Sequence, residues 1–218
     1  MGSISLEYLF SVHRRLEKEY PDRNSLLVYN NPYQLIVAVS LSAQTTDAGV
    51  NRITPELFQR WPNPESLASA DIKELETLIH PLGFFHQKAR NLVAAAERVV
   101  GIYGGEIPRE MNQLTSLPGI GRKSANVIRA HVWNLPGIIV DTHFGRVCRR
   151  LGLTLAENPE KVERELLLLV PEEMQNDFSM VVNYHGRRYC MAKKPNCRGC
   201  PLNDICPHVG VAVRLTSD

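Results

Sequence analysis

The chain has 218 residues, 44% of them hydrophobic, and a formal net charge of +2. That length suits one large domain or two small ones, and the hydrophobic fraction allows a sizeable core. The small net charge gives no indication of a nucleic-acid-binding protein, so local charge matters more than the total. Without an N-terminal hydrophobic signal segment or an apolar run of about 18 residues, we expect neither export nor membrane spanning.

The first half of the chain has helical spacing of its apolar residues. A helix is predicted over 4–19, ending at the break 21–24. The run 35–41 is apolar throughout, so periodicity does not distinguish a buried strand from a buried helix; a helix is favoured because no partner strand is visible nearby. Thr46 or Asp47 then caps a helix that continues to Phe58.

Two side chains near these elements have both a structural and a functional interpretation. Gln44 is either an ordinary helix-end amide or a group that contacts a ligand. Phe84 and Phe85 follow the helix that His80 and Pro81 end, in a predicted loop. They are either core residues or an exposed wedge, since aromatic wedges that enter a DNA stack come from such loops.

The remaining elements also have helical spacing, and no segment alternates with a period of two. Helices are predicted at a segment beginning with Pro64, and over 71–80, 86–100, 111–116, 124–133, 144–151, 160–170 and 177–184. The sequence therefore predicts an all-α fold.

The segment 117–128 holds two glycines one residue apart, followed by a basic pair and a helix. Gly119 and Gly121 predict a hairpin with positive φ or a close backbone approach. Its N–H groups and the positive end of the helix dipole would form an anion site that fits a DNA phosphate. The same residues would also suit a plain tight turn with solvated Arg122 and Lys123.

Lys123 lies in the first turn of that second helix. The dipole there disfavours an ammonium, and partial burial would disfavour it further, which makes Lys123 a candidate amine nucleophile. Asp141 follows the apolar run 138–140 at the start of a helix. It is either the N-cap of this helix or an acid that takes part in the chemistry. Cys148, on the apolar side of the same helix, is interpreted as a small core residue.

Four of the five cysteines lie within seventeen residues, in a C-x6-C-x2-C-x5-C pattern: Cys190, Cys197, Cys200 and Cys206. Without a signal peptide, clustered cysteines indicate metal ligands rather than disulfides. Four thiolates this close in sequence suit one tetrahedral centre, and both zinc and a four-iron cluster accept them.

Basic residues surround this cysteine cluster, and no acid falls between 186 and 203. They are Arg187, Arg188, Lys193, Lys194 and Arg198. The patch is either a solvated loop or a local basic surface suited to phosphates.

Together these motifs resemble the endonuclease III family of iron–sulfur, helix-hairpin-helix DNA glycosylases. The resemblance rests on 41–47, 117–127, 140–143, 185–186 and the four cysteines, which occur in the family's order over nearly the whole chain. It implies two all-α domains with the active-site cleft between them. A six-helix domain over 25–135 would contain the hairpin, and 1–24 with 136–218 would hold a [4Fe–4S] cluster bound by the cysteines.

The resemblance also implies a bifunctional glycosylase and abasic-site lyase of base excision repair, with Lys123 and Asp141 as catalytic residues. Lys123 would expel an oxidised pyrimidine and form a Schiff base, and β-elimination would cut the strand. The expected partner is double-stranded DNA with damaged pyrimidines or abasic sites, and the protein is expected to be a cytoplasmic, nucleoid-associated monomer. The implied DNA-binding residues are Gln44 and Phe84, Gly119, Gly121 and Arg122 of the hairpin, His143, and Arg187, Lys193 and Lys194.

Two departures concern substrate preference: Phe84 precedes Phe85 where the family more often has a leucine before an aromatic, and Gly145 replaces a larger residue. One rival is a mismatch-specific glycosylase of the same superfamily, which usually lacks a lysine at position 123. Another is a non-catalytic, cluster-bearing DNA-binding module, which would leave Lys123 and Asp141 without a purpose.

Overall fold

The computed structural model describes residues 5–22 and 27–211, and within them all regular structure is helical. The predicted all-α fold is confirmed. The α-helices are α1 Leu6–Glu19, α2 Pro32–Leu41, α3 Asp47–Arg60, α4 Pro64–Ala68, α5 Ile72–Ile79, α6 Phe85–Tyr103, α7 Met111–Thr115, α8 Arg122–Trp133, α9 Thr142–Arg150, α10 Pro159–Leu169 and α11 Gln175–Arg188. Two 3-10 turns, His80–Leu82 and Glu172–Met174, complete the set.

The chain divides into two compact units, Asn24–Asn134 and Met1–Arg23 with Leu135–Asp218. Among the described residues, each unit has its own hydrophobic core, built from side chains of that unit. In the unit Asn24–Asn134, α2 buries nearly every residue from Leu35 to Leu41. This complete burial explains why the run has no amphipathic pattern, and it confirms the helix that we predicted there.

The other unit packs the apolar faces of α1, α9 and α11 around Phe144 and Phe178, whose rings meet edge to face. Cys148 is fully buried in this core, as the sequence predicted. No helix in the described part of the chain is long and apolar enough to cross a membrane.

Three local predictions need correction or fall partly outside the described residues. Phe85 is the first residue of α6 and not part of the loop. α11 continues through His185 and Gly186 to Arg188, four residues beyond the predicted end, because its buried face continues through these two residues. The predicted break at 21–24 lies partly outside the described residues.

Candidate active site and metal centre

The hairpin between α7 and α8 uses its two glycines differently. Gly119 has φ +82°, and a Cβ there would lie 3.1 Å from Asn91 Cβ, so this position requires glycine. Gly121 has an ordinary negative φ and open space around it. It is the N-cap of α8 and offers no side chain to the first-turn N–H groups, which leaves the helix end open to an external acceptor.

Lys123 lies in the first turn of α8, where the sequence predicted it, and both Lys123 and Arg122 are exposed. The structure does not bury Lys123, so only the helix dipole acts against its ammonium. The helix buries Ala125, Asn126 and Ile128 instead, and this face turns the first-turn side chains outward. An exposed amine at a helix N-terminus remains accessible to a bound electrophile.

Asp141 is the N-cap of α9 and also has a second partner. One carboxylate oxygen, Oδ1, accepts the Phe144 N–H at 2.8 Å, and the other, Oδ2, accepts from Asn183 Nδ2 at 2.5 Å. Both oxygens are thus fixed by donors from two helices, α9 and α11. The capping interpretation is therefore correct but incomplete, because a cap alone needs only one oxygen.

His143, in the first turn of α9, is oriented by Arg146. Arg146 donates to His143 Nδ1 at 3.2 Å, to the Gly186 carbonyl at 2.8 Å and to the Cys190 carbonyl at 3.0 Å. A guanidinium has no acceptor, so His143 Nδ1 must accept and the proton of the neutral ring sits on Nε2. Arg146 thereby links the segment after Asp141 to the start of the cysteine cluster.

Gly186 allows α9 and α11 to approach closely at this point. A Cβ at 186 would lie 2.8 Å from His143 Cβ and 3.1 Å from Val147 Cγ2. Gly145 has a similar effect on its own side, where a Cβ would lie 3.3 Å from an Arg149 nitrogen that donates to the Ala156 carbonyl. The small residue at 145 therefore makes room for Arg149.

Gln44 and Phe84, the two predicted gap-filling residues, share an unusual backbone. Both are exposed non-glycine residues in the left-handed region, with φ +56° and +49°. Such conformations cost about 1–3 kcal/mol each and cluster at functional sites. Phe84 is 65% exposed, whereas Phe85 is partly buried and contacts the rings of His80 and His86 at tilted angles.

All four predicted cysteine ligands line one small cavity. Backbone N–H groups point at two of the sulfurs: Leu202 N–H lies 3.4 Å from Cys200 Sγ, and His208 N–H 3.4 Å from Cys206 Sγ. Burial raises the pKa of the Cys200 thiol to about 11, and it also raises the pKa values of Cys197 and Cys206. Such thiols would bind as thiolates only beside a strong compensating cation.

The cysteines do not converge on a point. Within the described residues, no group of three or more His, Cys, Asp or Glu side chains is placed to hold a single metal ion. The cavity is closed further by two residues that the sequence analysis did not single out as site residues. Arg150 donates to Cys190 Sγ at 3.3 Å and to the Met191 carbonyl at 2.7 Å, and His185, 2% exposed, lies 3.4 Å from Cys200 Sγ.

The basic residues around the cluster are exposed, but they differ in what they contact. Arg188 pairs with Glu19 at 3.1 Å and lies over the Tyr189 ring. Arg187, Lys193 and Lys194 are exposed, and Lys194 has φ +59°.

Sequence reasoning missed Asn183, Arg146 and Arg150 as contributors to the site. Each follows a helical spacing that also suits ordinary packing, so no sequence signal separated them from solvated residues. Asn183, for example, donates to Asp141 only because α11 packs on α9 in the folded protein.

Known proteins resemble this chain over most of its length. The HhH-GPD superfamily base excision DNA repair protein family matches residues 37–172. Endonuclease III of Synechocystis sp. is 47% identical over 193 residues, covering 88% of each chain. Two solved structures, a non-covalent Endonuclease III–DNA complex and a trapped Endonuclease III–DNA covalent intermediate, superpose with a TM-score of 0.88 at 35% identity. Both alignments cover 94% of this chain, with 96% and 97% of the other.

An all-α fold with this hairpin defines the class of helix-hairpin-helix repair proteins. The chain belongs to the HhH-GPD superfamily of base excision DNA repair proteins and, within it, to the endonuclease III family. The family that the sequence motifs indicated is confirmed.

Proposed function

We propose that this protein is a DNA glycosylase and abasic-site lyase of base excision repair, with Lys123 as nucleophile. The carrying observation is an exposed lysine in the first turn of α8, directly after the glycine hairpin, in a chain of the endonuclease III family. The covalent Endonuclease III–DNA intermediate among its relatives supports a reaction through an enzyme–DNA bond. The proposed substrate is double-stranded DNA with an oxidised pyrimidine or an abasic site.

The proposed chemistry needs an amine, a carboxylate and a phosphate anchor. The neutral Lys123 amine attacks C1′ of the extruded nucleotide, and the C1′–N bond breaks, so the base leaves with the bonding pair and gains a proton. The carboxylate of Asp141, fixed at both oxygens, stabilises the positive charge that develops on the sugar, and the proton that the attached amine then loses goes to water.

The sugar ring then opens: the nitrogen lone pair forms a C1′=N bond, the C1′–O4′ bond breaks and O4′ takes up a proton, which gives an iminium ion from which strand cleavage follows. The iminium acidifies the C2′ proton; when a base removes that proton, a C2′–C3′ double bond forms and the 3′ phosphate leaves. The hairpin N–H groups at Gly119 and Gly121 would hold a backbone phosphate, and Arg122 would reach the same strand. Gln44 and Phe84 would occupy the gap left by the nucleotide, and His143 would line the pocket with its Nε2–H outward.

We also propose that Cys190, Cys197, Cys200 and Cys206 hold a [4Fe–4S] cluster. The support is geometric: the four cysteines line one cavity, but no three of them are placed to hold a single ion, as a tetrahedral zinc with sulfur at about 2.3 Å would require. The cluster would supply a rigid anchor for the loop between Cys190 and Cys197. Arg187, Lys193 and Lys194 would then contact phosphates. The units Asn24–Asn134 and the remainder would be the two domains, and the protein would act on the nucleoid in the cytoplasm.

The decisive experiment is borohydride trapping on duplex DNA that contains an oxidised pyrimidine, with Lys123→Gln beside the wild type. We expect a covalent adduct with the wild type only, and an unaffected adduct with Lys161→Gln, which removes an exposed lysine of α10. Base release without trapping would instead favour a monofunctional, mismatch-type glycosylase. Binding without either reaction on the lesion or on an abasic duplex would favour the DNA-binding module.

A further inference from the structure

Lys88, on the second turn of α6, is a buried lysine that the proposed chemistry does not use. Its side chain is 7% exposed, and its ammonium donates to the Leu82 carbonyl at 3.0 Å. Burial lowers the pKa of this ammonium. Lysine is almost never buried without a specific partner, so the placement calls for an explanation.

The same residue contacts both sides of the Phe84 loop. The Lys88 backbone N–H donates to the Phe84 carbonyl at 3.0 Å, while its Nζ holds the Leu82 carbonyl two residues earlier. Between these two carbonyls lie Gly83, with φ +68°, and Phe84, with φ +49°. Lys88 therefore donates to the carbonyl that precedes Gly83 and to the carbonyl of Phe84, one at each end of the two left-handed residues.

The local sequence does not otherwise stabilise this turn. Phe84 is the N-cap of α6 and has no side-chain capping bond, so the helix start lacks the usual polar cap. The 3-10 turn before it ends with a 3.3 Å bond from Gly83 N–H to the His80 carbonyl. An exposed phenylalanine in a strained conformation persists only when its surroundings fix it.

Leu82, whose carbonyl accepts from Lys88, also lies near the segment that follows Gln44. Leu82, whose carbonyl Lys88 holds, is 4% exposed, and its Cδ2 lies 3.6 Å from the Cβ position of Gly49 at the start of α3. The Thr46 and Thr45 hydroxyls lie 3.2 and 3.7 Å from that same position. Leu82, at the base of the Phe84 loop, therefore lies close to the first turn of α3, which follows the Gln44 segment.

We propose that Lys88 is a positioning residue that holds Phe84 in the conformation needed to enter the DNA stack. This inference rests on the proposed function, since it assumes that Phe84 acts as a wedge. Lys88 acts only through Phe84, so it should matter for extruding a nucleotide from a duplex and not for the chemistry at the sugar. A lesion or abasic site in single-stranded DNA needs no unpairing, which separates the two effects.

The test compares single-turnover rates on a duplex abasic substrate and on the same oligonucleotide as a single strand. For Lys88→Met, which keeps the volume and removes the donor, we expect the duplex rate to fall by about 10-fold or more. The single-strand rate and the borohydride adduct on single-stranded abasic DNA should stay at the wild-type level. Phe84→Ala should produce the same selective loss, and Lys161→Met should produce none.

The double variant makes the assignment specific. If Lys88 acts through Phe84, Lys88→Met with Phe84→Ala should be no slower on the duplex than Phe84→Ala alone. Three outcomes would each overturn the inference. The double variant could be slower on the duplex than Phe84→Ala, Lys88→Met could lose the same rate on duplex and single strand, or Lys88→Met could keep the wild-type duplex rate. If Lys88→Met does not fold, Lys88→Gln, whose shorter side chain cannot reach the Leu82 carbonyl, replaces it with the same expectations.

The controls keep this inference separate from the proposed function. If the wild type gives no adduct on any abasic substrate, the proposed function fails. If the wild type reacts but Phe84→Ala loses nothing on the duplex, the wedge role and the role of Lys88 both fail while the nucleophile stands.

Discussion

Asp141 illustrates how one carboxylate can serve the fold and the chemistry at once. Its Oδ1 caps α9 through Phe144, and its Oδ2 accepts from Asn183, so its position is determined by two helices. A group held this rigidly is preorganised for charge that appears only in the transition state. Capping and catalysis therefore make separable predictions.

We predict that Asp141→Asn will keep the fold and lose turnover. The amide oxygen can still cap α9, but the amide nitrogen cannot accept from Asn183, so stability should fall by about 1–3 kcal/mol while the protein stays folded. Loss of the carboxylate should slow base release by about 10²–10⁴-fold. Thermal unfolding and single-turnover kinetics measure the two effects.

Asp71→Asn is the matched control, because Asp71 is also an N-cap aspartate, accepting from the Lys73 and Glu74 N–H groups of α5. It should leave turnover unchanged. If both variants lose turnover equally, the catalytic role of Asp141 is wrong and the effect comes from helix capping.

At the scale of elements, the hairpin before α8 depends on where each glycine stands. Gly119 is needed for the turn, whereas Gly121 has an allowed conformation and open space. The sequence shows two equivalent glycines, and only the backbone shows that one serves the fold. The other is free to serve a ligand.

Alanine at each glycine should therefore have opposite consequences. Gly119→Ala should destabilise the protein by about 1–3 kcal/mol through its positive φ. Gly121→Ala should leave the free energy of unfolding almost unchanged but weaken DNA binding, because its Cβ would stand where a phosphate approaches the helix end. Chemical denaturation and DNA titration test the pair. Unweakened DNA binding by a folded Gly121→Ala protein would contradict the phosphate site.

Arg150 donates to the Met191 and Ala192 carbonyls of the loop from Cys190 to Cys197. The two lysines of this loop, Lys193 and Lys194, are exposed. If Lys193 and Lys194 contact phosphates, neutralising both to glutamine should flatten the salt dependence of DNA binding by about 0.9 in log–log slope per lost contact. Lys161→Gln removes one positive charge from α10, outside the cysteine loop, and should leave the slope unchanged. A parallel shift without a change of slope would exclude direct contacts.

At the scale of the whole molecule, each compact unit has its own core, and the cysteine cavity adds to one of them. The cavity borders residues of that core, including Val147, Leu151 and Leu202. A bound cluster would therefore stabilise the unit that contains α9 and α11, since binding to a site formed only in the folded state is itself folding free energy.

We predict that Cys206→Ala will abolish iron binding and lower the melting temperature. Cys148→Ala, at a buried thiol outside the cavity, should keep the full iron and sulfide content. Elemental analysis and visible absorbance of the purified proteins measure the difference. Stoichiometric zinc in the wild type would refute the cluster assignment, and unchanged iron in Cys206→Ala would remove this residue from the ligand set.

The sequence by itself determined the helical class, most helix positions and the family. These depend on local features: apolar spacing, candidate caps such as Thr46 or Asp47, and motifs whose residues are adjacent in the chain. The candidate nucleophile, the anion hairpin and the cysteine set belong to this group, because their chemistry follows from short spacings.

Only the tertiary structure decided which of two similar side chains is exposed and which distant residue hydrogen-bonds to a candidate site residue. Phe84 and Phe85 are neighbours of the same residue type, yet Phe84 is exposed and Phe85 lies partly buried against two histidine rings. Asn183 meets Asp141 42 positions away, a contact that arises because α11 packs on α9 at Gly186. Burial and long-range hydrogen bonds are set by packing between elements, and no local pattern in the sequence encodes them.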